Sequence, residues 1–283
     1  MRPFSRSFAL AAVASISLAL ASLPDAVAKP KTSASDSGPA KSAKAGDSKN
    51  DKSDKGKDKK KGPLSFGAPN RGHLEGGIRL KGSGHVKVRG GARAWGLPSL
   101  TKLIHRVADR VASRHGGSVL LVGDLSAKNG GMLDGHHSHQ SGRDADIGFY
   151  VANSRGKPVT VSKFIAFDSE GRSKNGPDWA RFDEAGNWML VEELLKDEKA
   201  PVRYVFVANH LRARLLKYAA SKKVPKELYD RAAAAMLSPD GVDVHDDHFH
   251  VRIACPESMR AECVEESGAR EGKPDAAAAD DPY

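Results

Sequence analysis

Cysteine is almost absent from this chain: Cys255 and Cys263 are the only two in 283 residues. That argues against a metal site built from thiolates, which needs several cysteines at short spacing. Long apolar runs are missing too. Phe8 to Leu23 is the nearest to one, and its length and flanks are wrong for a membrane span. No internal repeat is visible. Ser138 and Ser141 lie near histidines but lack a Gly-x-Ser-x-Gly context, which argues against a serine nucleophile.

What is present begins with Arg2, Arg6, that apolar run and Ala26-Val27-Ala28, the pattern of a cleavable export signal over residues 1–28. No cysteine follows it, so a lipid anchor is not expected. Residues 29–62 hold eleven Lys, five Asp and no aromatic or large aliphatic residue. Such a segment cannot bury enough apolar surface to offset its ordering entropy and is expected to be a disordered tether. Its balance is +6 and that of the signal +1, so only +3 of the formal +10 belongs to everything after Gly62. The high pI is therefore a property of the tether and does not argue for nucleic-acid binding. A sharper reading makes the tether an arm for an anionic envelope polymer. Residues 63–263 are long enough for one packed domain, and 264–283 are again polar and Ala-rich, an expected disordered tail. In an exported protein, Cys255 and Cys263 are expected to pair, closing a short loop worth about 2–3 kcal/mol.

Within the domain, Leu100, Leu103, Ile104, Val107 and Val111 follow helical spacing after Pro98, and Gly116-Gly117 ends that helix. Ser118 to Gly123 reads as a buried strand. Trp188 to Leu195, Leu211 to Leu216 and Glu227 to Leu237 suggest further helices, and Val202 to Val207 a strand. Two segments alternate. Asp144, Asp146 and Gly148 share one face of a strand, and His248, His250 and Arg252 one face of another. If these strands are neighbours, Asp146 meets His250 across the sheet. Both look half-exposed, which favours an α+β fold with a central antiparallel sheet flanked by helices.

Six of the eleven histidines fall in two clusters: Gly135-His136-His137-Ser138-His139-Gln140, continuing to Asp144 and Asp146, and His245-Asp246-Asp247-His248-Phe249-His250. Imidazole and carboxylate suit zinc, and catalytic zinc sites use three protein ligands with water in the fourth position. His139, Asp146 and His250 form the expected ligand set for one Zn2+ ion. The ion would lower the pKa of a bound water to about 7. His248 then has three open roles: base towards that water, acid towards the leaving amine, or a cation stabilising an oxyanion. His136 and His245 are further candidates, each to hold substrate, to orient a ligand or to serve a second metal; Asp144 either supports a ligand or is a solvated carboxylate. His137 is expected to face solvent, and Asp246 and Asp247 to be turn residues. His73, His85, His105, His115 and His210 have no partner at useful spacing and are read as structural.

Gly123-Asp124-Leu125-Ser126, Gly135 to Gln140, Gly142-x-Asp144-x-Asp146-Ile147 and His248-x-His250-Val251-Arg252-x-x-Cys255-Pro256 together resemble the penicillin-insensitive murein endopeptidases. Ala94 to Pro98 fits the segment before that family's first helix, and the likeness covers roughly residues 70 to 263. It implies a D,D-peptidase/hedgehog-like fold with zinc on His139, Asp146 and His250. It also implies catalysis by His248, with His136 and His245 in the active site. The implied substrate is the D-alanyl–diaminopimelyl crosslink of peptidoglycan, cut in the periplasm without inhibition by β-lactams. The alternatives are a zinc D,D-carboxypeptidase or dipeptidase, and a non-catalytic wall-binding module. The chain departs from the family around Asp168 to Ser173, where some members carry an acid-and-histidine pair for a further metal. No histidine stands here, so only one ion is expected.

Overall fold

A computed structural model describes residues 62–238 and 244–265. The expected signal and tether, and residues 266–283 of the expected tail, lie outside the described residues.

The molecule is organised around a six-stranded sheet. Its strands are β1 (Val86–Val88), β2 (Leu120–Val122), β3 (Asp144–Gly148), β4 (Val202–Phe206), β5 (Met236–Leu237) and β6 (His248–Ile253). They lie in the order β5-β4-β6-β3-β2-β1. The inner pairs β4–β6, β6–β3 and β3–β2 are antiparallel, as the alternation of β3 and β6 predicts. The outermost pairs, β1–β2 and β4–β5, are parallel. The connections explain the difference, because parallel neighbours need a crossover. Helix α1 (Pro98–Arg114) lies between β1 and β2 in the chain. Helices α3 (Asn209–Ser221) and α4 (Lys226–Ala235) lie between β4 and β5.

Pro98 starts α1, where its missing N–H costs nothing, and Leu100, Leu103, Ile104, Val107 and Val111 form its buried stripe. Helix α2 (Glu184–Lys196) is capped by Asp183, whose side chain accepts from the Gly186 N–H at 3.0 Å. One apolar core joins these helices to Ala145 and Ile147 of β3 and to Phe249, Val251 and Ile253 of β6. The sequence suggested helix through Leu237. Instead the chain leaves α4 at Met236 to pair with Val205 and Phe206.

The opposite face of β3 and β6 corrects a second expectation. It is not half-exposed: every residue of β3 is buried, Asp144 and Asp146 included. The loop 123–142 lies over it, tied down by Gly123 N–H to the Asp146 carbonyl and Asp146 N–H to the Asp124 carbonyl, both 2.9 Å. Gly130 lets the loop close. Its φ is +66°, and a Cβ there would sit 2.1 Å from the Gln140 carbonyl oxygen.

Candidate metal and catalytic site

The site starts from strand register. His250 lies directly opposite Asp146, Arg252 opposite Asp144, and His248 opposite Gly148. The loop then delivers His136 and His139 from above, with His139 in the left-handed region at φ +66°. His139 Nε2 lies 3.2 Å from Asp146 Oδ1, yet neither atom makes an aligned hydrogen bond, and both are buried. Two buried acceptor-capable atoms turned on a common point fit a cation. One donor atom each from His136, His139 and Asp146 lies within 4.8 Å of the others, so this group can hold a metal ion. His250 is adjacent: its ring centroid is 4.6 Å from that of His139.

Each imidazole is oriented through its other nitrogen. His139 Nδ1 donates to the Leu125 carbonyl at 2.5 Å. His250 Nε2 donates to Asp144 at 2.8 Å, leaving Nδ1 as its remaining ring nitrogen. His136 Nε2 donates to Asp124 at 3.1 Å, and His248 Nδ1 to Asp247 at 2.5 Å. Metal-binding histidines commonly carry such a carbonyl or carboxylate partner, which fixes tautomer and ring plane.

Charge in the site follows from the two buried acids. Burial alone would raise the Asp146 pKa, but His139 and His248 hold it well below the usual carboxylate range. Burial likewise opposes Asp144 ionisation, and Arg252 and His250 overcome it. Desolvation lowers His139 and His248, but Asp146 outweighs it and raises them to about 9 and about 10. His245, buried and facing His248 and His250, is pushed down to about 2 and stays neutral. It too is left-handed, at φ +62°, and among the described residues its Nδ1 has no hydrogen-bond partner. His245 and His248 meet edge to face, 5.1 Å between centroids.

The strand alternation therefore brings His248, His250, Asp144 and Asp146 onto adjoining strands, as read from the sequence. Asp144, one of whose readings was a solvated carboxylate, is instead dry and bonded to His250 and Arg252. Asp247, read as a turn residue, holds His248, and Asp246 pairs with Lys174 at 2.7 Å. His137 is exposed, as expected. Asp124, the Leu125 carbonyl and Phe164 belong to the surroundings of the site and were not singled out. Asp124 and Leu125 stand inside a quoted motif, whereas no spacing points to Phe164. Three histidines read as structural acquire distant partners: His85 with Asp109, His115 with Asp183, and His210 with the Phe167 carbonyl. Cys255 and Cys263 form the expected disulfide. Among the described residues, no helix is long and apolar enough to cross a membrane.

A sequence profile of the penicillin-insensitive murein endopeptidase family matches residues 65–279. The chain belongs to this family. Similar members include the penicillin-insensitive murein endopeptidase of Haemophilus influenzae, 29% identical over 184 residues. That match covers 62% of this chain and 57% of the relative. The namesake in Klebsiella pneumoniae is 28% identical over 201 residues, 68% of this chain and 66% of its own. That of Pectobacterium atrosepticum is 30% identical over 179 residues, 62% and 57% of the respective chains. The matches thus span somewhat less than two thirds of these murein endopeptidases.

Proposed function

We propose that this protein is a zinc-dependent murein endopeptidase, exported to the periplasm, that hydrolyses D-alanyl–meso-diaminopimelyl crosslinks of peptidoglycan. One observation carries the reading: the register that sets His250 opposite Asp146 beneath His139, in a chain of this family. The ligands are His139 through Nε2, Asp146, and His250 through Nδ1, with His136 as a neighbouring donor. When bound, zinc supplies a Lewis acid that makes water nucleophilic near neutral pH. The remaining work falls to the chain. His248 presents Nε2 3.4 Å from Asp146 Oδ1, while Asp247 fixes its Nδ1. Nε2 is therefore the atom that moves a proton to or from the reacting groups. Neutral His245 flanks it, and the loop 123–142 keeps bulk water from the two acids. Neither Ser138 nor Ser141 stands in a nucleophile motif, so β-lactams are expected to leave activity intact.

Crosslinked muropeptide dimers and monomeric pentapeptides are the deciding substrates. Dimers are expected to be cut, reversibly blocked by chelation, with His248→Ala retaining metal but losing turnover by at least about 100-fold. Release of terminal D-Ala from pentapeptide with dimers left whole would instead favour a carboxypeptidase. Binding to sacculi without turnover would favour a wall-binding module. The ligand set is tested by metal content: His250→Ala is expected to lose stoichiometric zinc and His136→Ala to keep it. The opposite pattern would move the third ligand to His136.

A further inference from the structure

Asp247 holds His248 at Nδ1, Asp146 Oδ1 lies 3.4 Å from its Nε2, and His245 meets its ring edge to face. A stacked contact sets the plane. Phe164 lies face to face with His248, ring centroids 5.1 Å apart and planes 19° from parallel. Arg89 also packs over the Phe164 ring, its guanidinium carbon 5.0 Å from the ring centroid. Phe164 reaches this position because the sheet makes room. Gly148 is the cross-strand partner of His248, and a Cβ there would fall 2.8 Å from the Phe164 ring. A Cβ on Gly123 would fall 2.7 Å from the same ring. Two glycines thus form a floor on which an aromatic from a distant segment lies beside the histidine. The segment does not need that ring for its own anchoring, because Ile165, Ala166 and Phe167 are buried and Phe164 is only partly so.

We infer that Phe164, packed against His248 and Arg89 on a floor of Gly123 and Gly148, is a positioning residue that sets the plane of the His248 imidazole for proton transfer. This rests on the endopeptidase reading. The arrangement fits the general requirement that a catalytic side chain have its rotamer locked by packing as well as by hydrogen bonds. Misplacement of a reacting group by about 1 Å costs on the order of 100-fold in rate.

The test is steady-state cleavage of muropeptide dimers by the zinc-loaded protein and its variants. Phe164→Leu is expected to lower kcat by about 10- to 100-fold, with KM, bound zinc and Tm unchanged. Phe164→Tyr, which keeps the ring, is expected to stay within about twofold of the parent. Gly148→Ala leaves Phe164 in the chain but lifts its ring, and is expected to reproduce the kcat defect of Phe164→Leu. The inference is overturned if Phe164→Leu keeps parental kcat, or if kcat falls only in step with lost zinc or lowered Tm. It is overturned equally if Phe164→Tyr is as slow as Phe164→Leu. A parent protein that leaves dimers intact sinks the endopeptidase reading itself, a result distinct from any of these.

Discussion

At Asp144 two donors share one oxygen: His250 Nε2 at 2.8 Å and Arg252 Nε at 2.6 Å, on a side chain with no solvent exposure. The carboxylate engages His250 at Nε2, so that Nδ1 is the ring nitrogen left over, and it pairs with Arg252. Asp144→Ala removes both effects. Its expected consequence is a loss of about 10- to 100-fold in zinc affinity, measured by competition with a chromogenic chelator, before any change in the ligands themselves. The meeting of residues 144, 146, 248 and 250 on adjoining strands was legible from period-two alternation, because acids and imidazoles stand in phase on two short segments. Their supports were less so. Asp124, Leu125 and Phe164 come from loops, where no periodicity ties a residue to its spatial neighbour. Asp247 was hidden by its position, since an acid beside a turn is ordinary until its histidine is seen to bend back onto it.

Among the elements, α1 and α2 are joined by a ladder of ion pairs. Arg106 grips Asp197 at the end of α2 through two bonds of 2.7 Å. Arg114 reaches Glu193 at 2.8 Å, and Arg110 reaches it at 3.4 Å. Asp197, whose side chain is 1% exposed, also accepts from the Lys199 and Ala200 N–H groups. Burial raises the proton affinity of this carboxyl, but Arg106 and those N–H groups hold its pKa below the usual value. A lowered folded-state pKa contributes stability in full above the unfolded value of about 4 and loses it as pH falls through the folded value. Asp197→Asn is therefore expected to cost about 2–3 kcal/mol at pH 7. In Tm measured against pH, the gap from the parent should close below about pH 4. Helices α1 to α3 were readable because their apolar stripes recur at the helical period. The end of α4 was not: Met236 and Leu237 continue an apolar helical pattern, and only the open edge of β4 draws them into strand.

For the molecule as a whole, closure depends on the last described residues. The disulfide ties Cys255, just after β6, to Cys263. Cys263 in turn bridges to Gly67 in the strand Leu64–Ala68, which pairs with Arg71–Glu75, and the Val264 N–H bonds the Gly67 carbonyl at 3.0 Å. Arg143, fully buried, donates to the Val264 carbonyl at 2.6 Å and to Glu265 at 3.1 Å. Val264 and Glu265, assigned in the sequence to the tail, are thus held against the domain. Nothing in composition signals a buried arginine waiting for them. Replacing both cysteines by serine is expected to lower unfolding free energy by about 2–3 kcal/mol, read as a lower urea midpoint.

The left-handed backbone at His139 and His245 has a consequence for anyone engineering this protein. Histidine tolerates that conformation better than most side chains, but glycine or asparagine suits it more, and His245 adds a buried nitrogen with no hydrogen-bond partner among the described residues. Selection for heat tolerance alone would drift away from histidine at both places. A library screened only for robustness would then enrich sturdy proteins stripped of both imidazoles.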